Sequence, residues 1–136
     1  MSWDFSFSVR LEITQDQLGL RLPIALSIAG QEIETEAYLD TGASCCVVPR
    51  WVGEQLELDV ESGDAINLGT GAGPMPGFLH YANLTIGELA FEDVPVCIAE
   101  YRGFDRILLG RAGWLQKVRL NLIAYEDSLY LNLHGQ

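Results

Sequence analysis

The sequence predicts an all-β domain, a closed barrel or sandwich with one or two short helices. Three observations carry this expectation. Apolar residues alternate with polar ones along most of the chain, the period of a half-buried strand. Glycine and proline gather between the alternating runs, as they do where short strands are joined by turns. Only two short stretches, Arg50–Leu58 and Ala112–Lys117, permit helix. With 136 residues, 49% of them apolar, the chain suits a single domain spanning residues 1–136 with an ample core.

The first strand is read from Trp3, Phe5, Phe7, Val9, Leu11 and Ile13, which alternate with Asp4, Ser6, Ser8, Arg10 and Glu12. Leu20, Leu22, Ile24, Leu26 and Ile28 repeat the pattern, with Pro23 marking an edge or a bulge. After the turn Ala29-Gly30-Gln31, Ile33, Thr35, Ala37 and Leu39 face one way and Glu32, Glu34 and Glu36 the other. This third strand ends at Asp40. The stretch Asn67–Tyr81 is rich in Gly and Pro. Strand-like runs follow at Tyr81–Ile86 and Phe91–Ile98, then an apolar run at Phe104–Leu109. Val118–Tyr125 and Leu129–Leu133 form a closing hairpin across Glu126-Asp127-Ser128. No linker, low-complexity tract or second domain is visible.

Composition excludes several functions. Nineteen acidic against eight basic residues give a net charge of -11, which opposes nucleic acid and anionic membrane surfaces as partners. No apolar run approaches the roughly 20 residues that span a bilayer. The start, Met1-Ser2-Trp3-Asp4-Phe5, lacks the features of a signal peptide, so a cytoplasmic location is expected. Three cysteines, Cys45, Cys46 and Cys97, are a poor disulfide framework and read as reduced thiols. His80 and His134 form no metal-ligand pattern with them, so neither a metal nor a cofactor is expected. Gly69-Thr70-Gly71-Ala72-Gly73 invites a nucleotide-loop reading, but no Gly-Lys-Ser/Thr follows and Pro74 and Pro76 break the dinucleotide fingerprint.

The chemistry points to Asp40-Thr41-Gly42-Ala43, where a buried strand meets a turn between Leu39 and Val47-Val48. Asp, Thr and Gly are ordinary turn residues, so the run alone says little. A carboxylate set among apolar strand residues is expensive to bury, and that expense commonly serves a function. A second run, Ile107-Leu108-Leu109-Gly110-Arg111, places two apolar residues and a glycine before a short helical stretch.

In this order the two motifs resemble those of the retropepsin-like aspartic proteases, over roughly residues 20–125. The resemblance implies the acid-protease barrel, with Asp40, Thr41 and Gly42 as the catalytic loop. It implies that Leu108, Leu109, Gly110 and Arg111 are a structural motif, and that residues 67–81 are a flap closing over substrate. Ala43, Gly71, Ala72 and Gly73 are then expected to bind substrate. It further implies an endopeptidase that uses a water molecule and no cofactor. One copy of the motif supplies one carboxylate, so activity requires a homodimer with Asp40 from each subunit at the axis. Thr41 is expected to form a hydrogen-bonded grip across that axis. Residues 1–18 extend beyond the retroviral start as an extra strand. Residues 126–136, with Leu129, Leu131 and Leu133, are expected to build the dimer interface. Polypeptide is the expected substrate.

The sequence also departs from the family. Ser44 stands where retroviral members carry an acid that pairs with the Arg of the second motif, so Arg111 is expected to find another acid, such as Asp105 or one across the dimer. Ala43 in place of Ser or Thr removes a hydrogen bond to the carboxylate and hints at less acidic working conditions. Two alternatives stay open: a catalytically silent dimerisation or peptide-binding module on the same fold, and an unrelated β-barrel with a chance motif.

Overall fold

The computed structural model describes residues 1–70 and 73–133. In chain order, β1 is Val9–Glu12, β2 Thr14–Asp16, β3 Gly19–Ile28, β4 Gln31–Leu39 and β5 Cys46–Val48. The helix α1, Arg50–Gln55, follows, then β6 Asp64–Thr70, β7 Gly73–Ile86 and β8 Leu89–Ala99. The chain closes with β9 Leu108–Leu109, β10 Val118–Ile123 and β11 Ser128–Leu133. Single 3-10 turns occupy Val60–Ser62, Leu115–Lys117 and Ala124–Glu126. Both predicted helical stretches are therefore short, and the second is only a 3-10 turn.

Eight strands are hydrogen-bonded in the order β2-β3-β4-β9-β5-β8-β7-β6, and an added pairing of β3 with β7 closes the inner six into a barrel. Closure uses a short contact, Ala25–Ser27 against Asn83–Thr85. Pro23 lies outside that contact while still in register with Glu36 of β4, so the missing N–H faces no ladder there. β1, β11 and β10 form a separate three-stranded sheet. Leu22, Ile24, Leu26, Ala37, Val48, Leu84, Ile86, Ile98 and Leu109 fill the barrel, and Leu129 and Leu131 join the same core. Trp114 is fully buried in it, edge-on to Phe91 at a ring distance of 6.2 Å. Its indole Nε1 donates to the Gly110 carbonyl at 2.7 Å.

One segment differs from the sequence expectation. Alternation predicts a strand from Trp3, but pairing with β11 starts at Val9, opposite Leu131. Residues 1–8 have no strand partner among the described residues and are held by side chains instead. Ser8 Oγ donates to Asn132 Oδ1 at 2.7 Å, Asn132 Nδ2 donates to the Ser6 carbonyl at 3.3 Å, and Phe7 leans on Tyr130. Trp3 and Phe5 stay exposed. Alternation sets which face is apolar, but a strand also needs a neighbouring backbone to pair with.

The Gly/Pro-rich stretch forms a hairpin of β6 and β7, with Asn67 opposite Pro76 and Gly69 opposite Pro74. The two prolines are tolerated because β7 pairs with β8 only from Gly77 onward. Gly77 is needed for a different reason: a Cβ there would lie 2.5 Å from Cys97 Sγ. Gly71 and Ala72 lie outside the described residues.

Trp114→Ala is expected to cost roughly 3–5 kcal/mol by urea unfolding, the usual range for a buried Trp emptied to Ala; a loss under about 1 kcal/mol would mean that the indole does not organise this core.

Candidate active site

The site is built where β4 ends. β4 and β9 run parallel, Tyr38 beside Leu108 and Leu39 beside Leu109. The ladder continues past the strand end: the Tyr38 N–H donates to the Ile107 carbonyl at 2.8 Å and the Asp40 N–H to the Leu109 carbonyl at 2.9 Å. The main chain of Asp40 is thus tied to the barrel, while Asp40 itself is half-buried and Thr41 and Gly42 are exposed. The chain then turns tightly. The Ala43 N–H donates to the Asp40 carbonyl at 3.2 Å, and the Gly42 N–H donates to Asp40 Oδ1 at 2.9 Å. A carboxylate held by a main-chain donor has a fixed direction without a second side chain.

The second motif embraces this turn. The Arg111 N–H donates to the Ala43 carbonyl and the Ala112 N–H to the Ser44 carbonyl, both at 3.0 Å. Gly110 passes so close that a Cβ would fall 2.2 Å from the Cys45 carbonyl oxygen. The glycine of this motif is therefore required by packing. Arg111 Nη1 donates to the Thr41 carbonyl at 2.7 Å. The expectation that Arg111 pairs with an acid of its own chain such as Asp105 is not met. Asp105 accepts from the Trp51 indole at 3.3 Å, and the guanidinium meets a main-chain carbonyl instead. Sequence reasoning missed this contact, because a carbonyl partner leaves no mark on residue identity.

The structure thus brings together Asp40, Thr41, Gly42, Gly110 and Arg111. Leu109 is buried in the main core. Leu108 faces a second apolar cluster of Cys45, Val47, Leu68 and Cys97, with Met75 of the hairpin packed on it. That cluster joins β5 and β8 to the hairpin, and no local period in the sequence marks it. Ala43 is only 3% exposed, so its side chain supports the loop from within and does not face substrate in a single chain. Gly73 opens β7 with φ +109, a backbone that suits glycine. Leu129 and Leu131 are 1% and 0% exposed. They are committed to their own core and leave no apolar surface for a partner.

Tyr38, two residues before Asp40, donates its hydroxyl to Asp16 at 2.8 Å. That bond lowers the Asp16 carboxyl and raises the Tyr38 phenol from their ordinary values. Beside it a cleft of about 410 Å³ is lined by Arg21, Glu36, Tyr38, Trp51, Asp105 and Arg106. Among the described residues no group of three or more His, Cys, Asp or Glu is placed to hold a metal ion. No helix there is long and apolar enough to cross a membrane.

Comparisons with known proteins agree with this geometry. A family described as aspartyl protease matches residues 24–112, which contain both motifs and the hairpin. The chain belongs to the aspartyl protease family. Among solved structures, it is similar to a retropepsin-like aspartic protease from Rickettsia conorii, with a TM-score of 0.64 and 18% identity over 97% of this chain and 98% of that one. The fold is therefore the retropepsin-like barrel. A comparison with curated proteins found no match. Family and fold together support a protease-type function.

The three thiols are free and buried. Burial pushes Cys46 from the ordinary 9.0 up to about 12 and Cys97 up to about 11. Because the folded values lie above the unfolded one, the stability these thiols contribute is complete below pH 9.0 and is lost as pH climbs toward about 12. Melting temperature is expected to fall over this window, and to fall less steeply in Cys46→Ala; equal slopes in both proteins would count against burial of this thiol as the cause.

Proposed function

We propose that the chain is an aspartic endopeptidase, active as a homodimer in which Asp40 of each copy supplies one carboxylate of a shared pair. The observation that carries this reading is the Asp40 turn. Its main chain is bound to β9 and its carboxylate is held by the Gly42 N–H, at the exposed end of a barrel strand. Hydrolysing a peptide bond requires a base to activate water and an acid to polarise the carbonyl. Two carboxyl groups in contact share one proton and provide both, as in the known aspartic protease pairs. The ionised member takes a proton from water as it attacks the carbonyl, and the protonated member donates to the carbonyl oxygen. Titration then belongs to the pair and not to either copy.

One catalytic loop per chain supports the dimer. So do Trp3 and Phe5, exposed on a segment lying against β10 and β11, with Arg119 stacked 5.7 Å over the Phe5 ring. This segment, in place of Leu129 and Leu131, offers apolar surface to a second copy. In that assembly Thr41, exposed in one chain, meets its counterpart at the axis. The β6–β7 hairpin covers an extended polypeptide, and residues around Gly71, Ala72 and Gly73 contact it. Three buried free thiols support work in a reducing compartment such as the cytoplasm.

The test is cleavage of a peptide library from about pH 3 to about pH 7, where carboxylates titrate, with dimer content measured at each pH. Asp40→Asn is expected to abolish cleavage, at least about 10³-fold, while leaving the fold and melting temperature in place. A stable wild-type dimer that cleaves nothing anywhere in this range would replace the enzyme with a peptide-binding module.

A further inference from the structure

We propose that Arg111 is a positioning residue for Asp40, acting through the single peptide group that joins Thr41 to Gly42. The proposal rests on the reading of Asp40 as catalytic and adds to it a residue that reaches the carboxylate without touching it. The carbonyl of that peptide group accepts from Arg111 Nη1 at 2.7 Å. The N–H of the same group donates to Asp40 Oδ1 at 2.9 Å. A peptide unit is planar and trans, so its C=O and N–H point in opposite directions and cannot turn independently. Holding the carbonyl toward Arg111 therefore aims the N–H at Asp40.

The link is electronic as well as geometric. A cationic donor on the carbonyl draws electron density from the amide, which strengthens the N–H at the other end as a donor. Arg111 forms no ion pair among the described residues, and Asp105 is engaged by Trp51. Its charge is thus directed at a main-chain carbonyl. Arg111 is itself well placed for this task, because its own N–H is fixed to the Ala43 carbonyl at 3.0 Å. One residue thereby grips the catalytic turn on both sides of Gly42.

A merely structural arginine would lower stability or dimer content and reduce activity in proportion. A positioning arginine changes the Gly42 amide and turnover with the fold intact. The experiment compares full-length wild type, Arg111→Met and Arg111→Lys. It measures kcat and KM on a cleaved library peptide, dimer content, and the Gly42 amide resonance in ¹H–¹⁵N spectra. In Arg111→Met the Gly42 proton is expected to move upfield, and kcat to fall about 10- to 100-fold with KM held within about threefold. Arg111→Lys keeps a cationic donor and is expected to recover much of both signals. The proposal is overturned if Arg111→Met leaves the Gly42 resonance unmoved, or if its lost activity tracks lost dimer. Should Arg111→Met fail to fold, an unmoved Gly42 resonance and wild-type kcat in Arg111→Gln, which lacks the charge, overturn it equally. If the wild type cleaves nothing, the protease reading fails by itself, while the Gly42 resonance still decides whether the relay exists.

Discussion

The Asp40 turn has its shape because two segments far apart in sequence cross at close range. Residues 40–45 and 109–112 are joined by main-chain bonds from Asp40 to Leu109, Arg111 to Ala43 and Ala112 to Ser44. The crossing is tight enough that only a residue without a Cβ fits at Gly110. Behind Gly110 its carbonyl is held by the buried Trp114 indole, so the hydrophobic core reaches the site through one hydrogen bond. Remove the crossing and Asp40 becomes one more acid in a turn. With it, a carboxylate is held at a barrel edge at little cost in burial, because the donor that holds it is the main-chain N–H of Gly42, already placed by the fold.

This construction explains what was legible in the sequence. The alternation of β3 and β4, the position of Asp40 at a strand end and the short α1 follow from local periods that survive folding. The two motifs became informative only as a pair, since the chemistry of each is spelled with ordinary turn residues. Other features are invisible in principle. The partner of Arg111 is a carbonyl, so a search for an opposite charge looks in the wrong place. Leu129 and Leu131 alternate as interface residues would, yet the same alternation serves a strand whose apolar face is already covered. The hairpin was hidden by Pro74 and Pro76, because whether proline breaks a strand depends on whether a neighbour needs its N–H. At the N-terminus the periodicity correctly placed Val9 and Ile13 inside, but it could not show where pairing with β11 begins.

The proposed pairing of two Asp40 carboxylates meets a further constraint, because each chain carries a net charge of -11. Association of two such chains is opposed by their charge only within a screening length of about 8 Å at physiological salt. What matters is therefore the charge of the surfaces that meet, and this differs from the chain's average. Arg10 and Arg119 lie on the three-stranded sheet beside the exposed aromatic segment, and Lys117 immediately precedes it. The acidic row Glu32, Glu34 and Glu36 lies on β4, outside that sheet. Three of the eight cations thus lie on or next to this sheet, together with Asp4 of the aromatic segment and Glu12 of β1. Mild acid, which neutralises carboxylates on both copies, weakens the residual repulsion, and in the proposed dimer it would also supply the one proton that the shared pair holds. On the proposed reading, the conditions that favour assembly are also those that favour the chemistry, and both follow from the same excess of carboxylates.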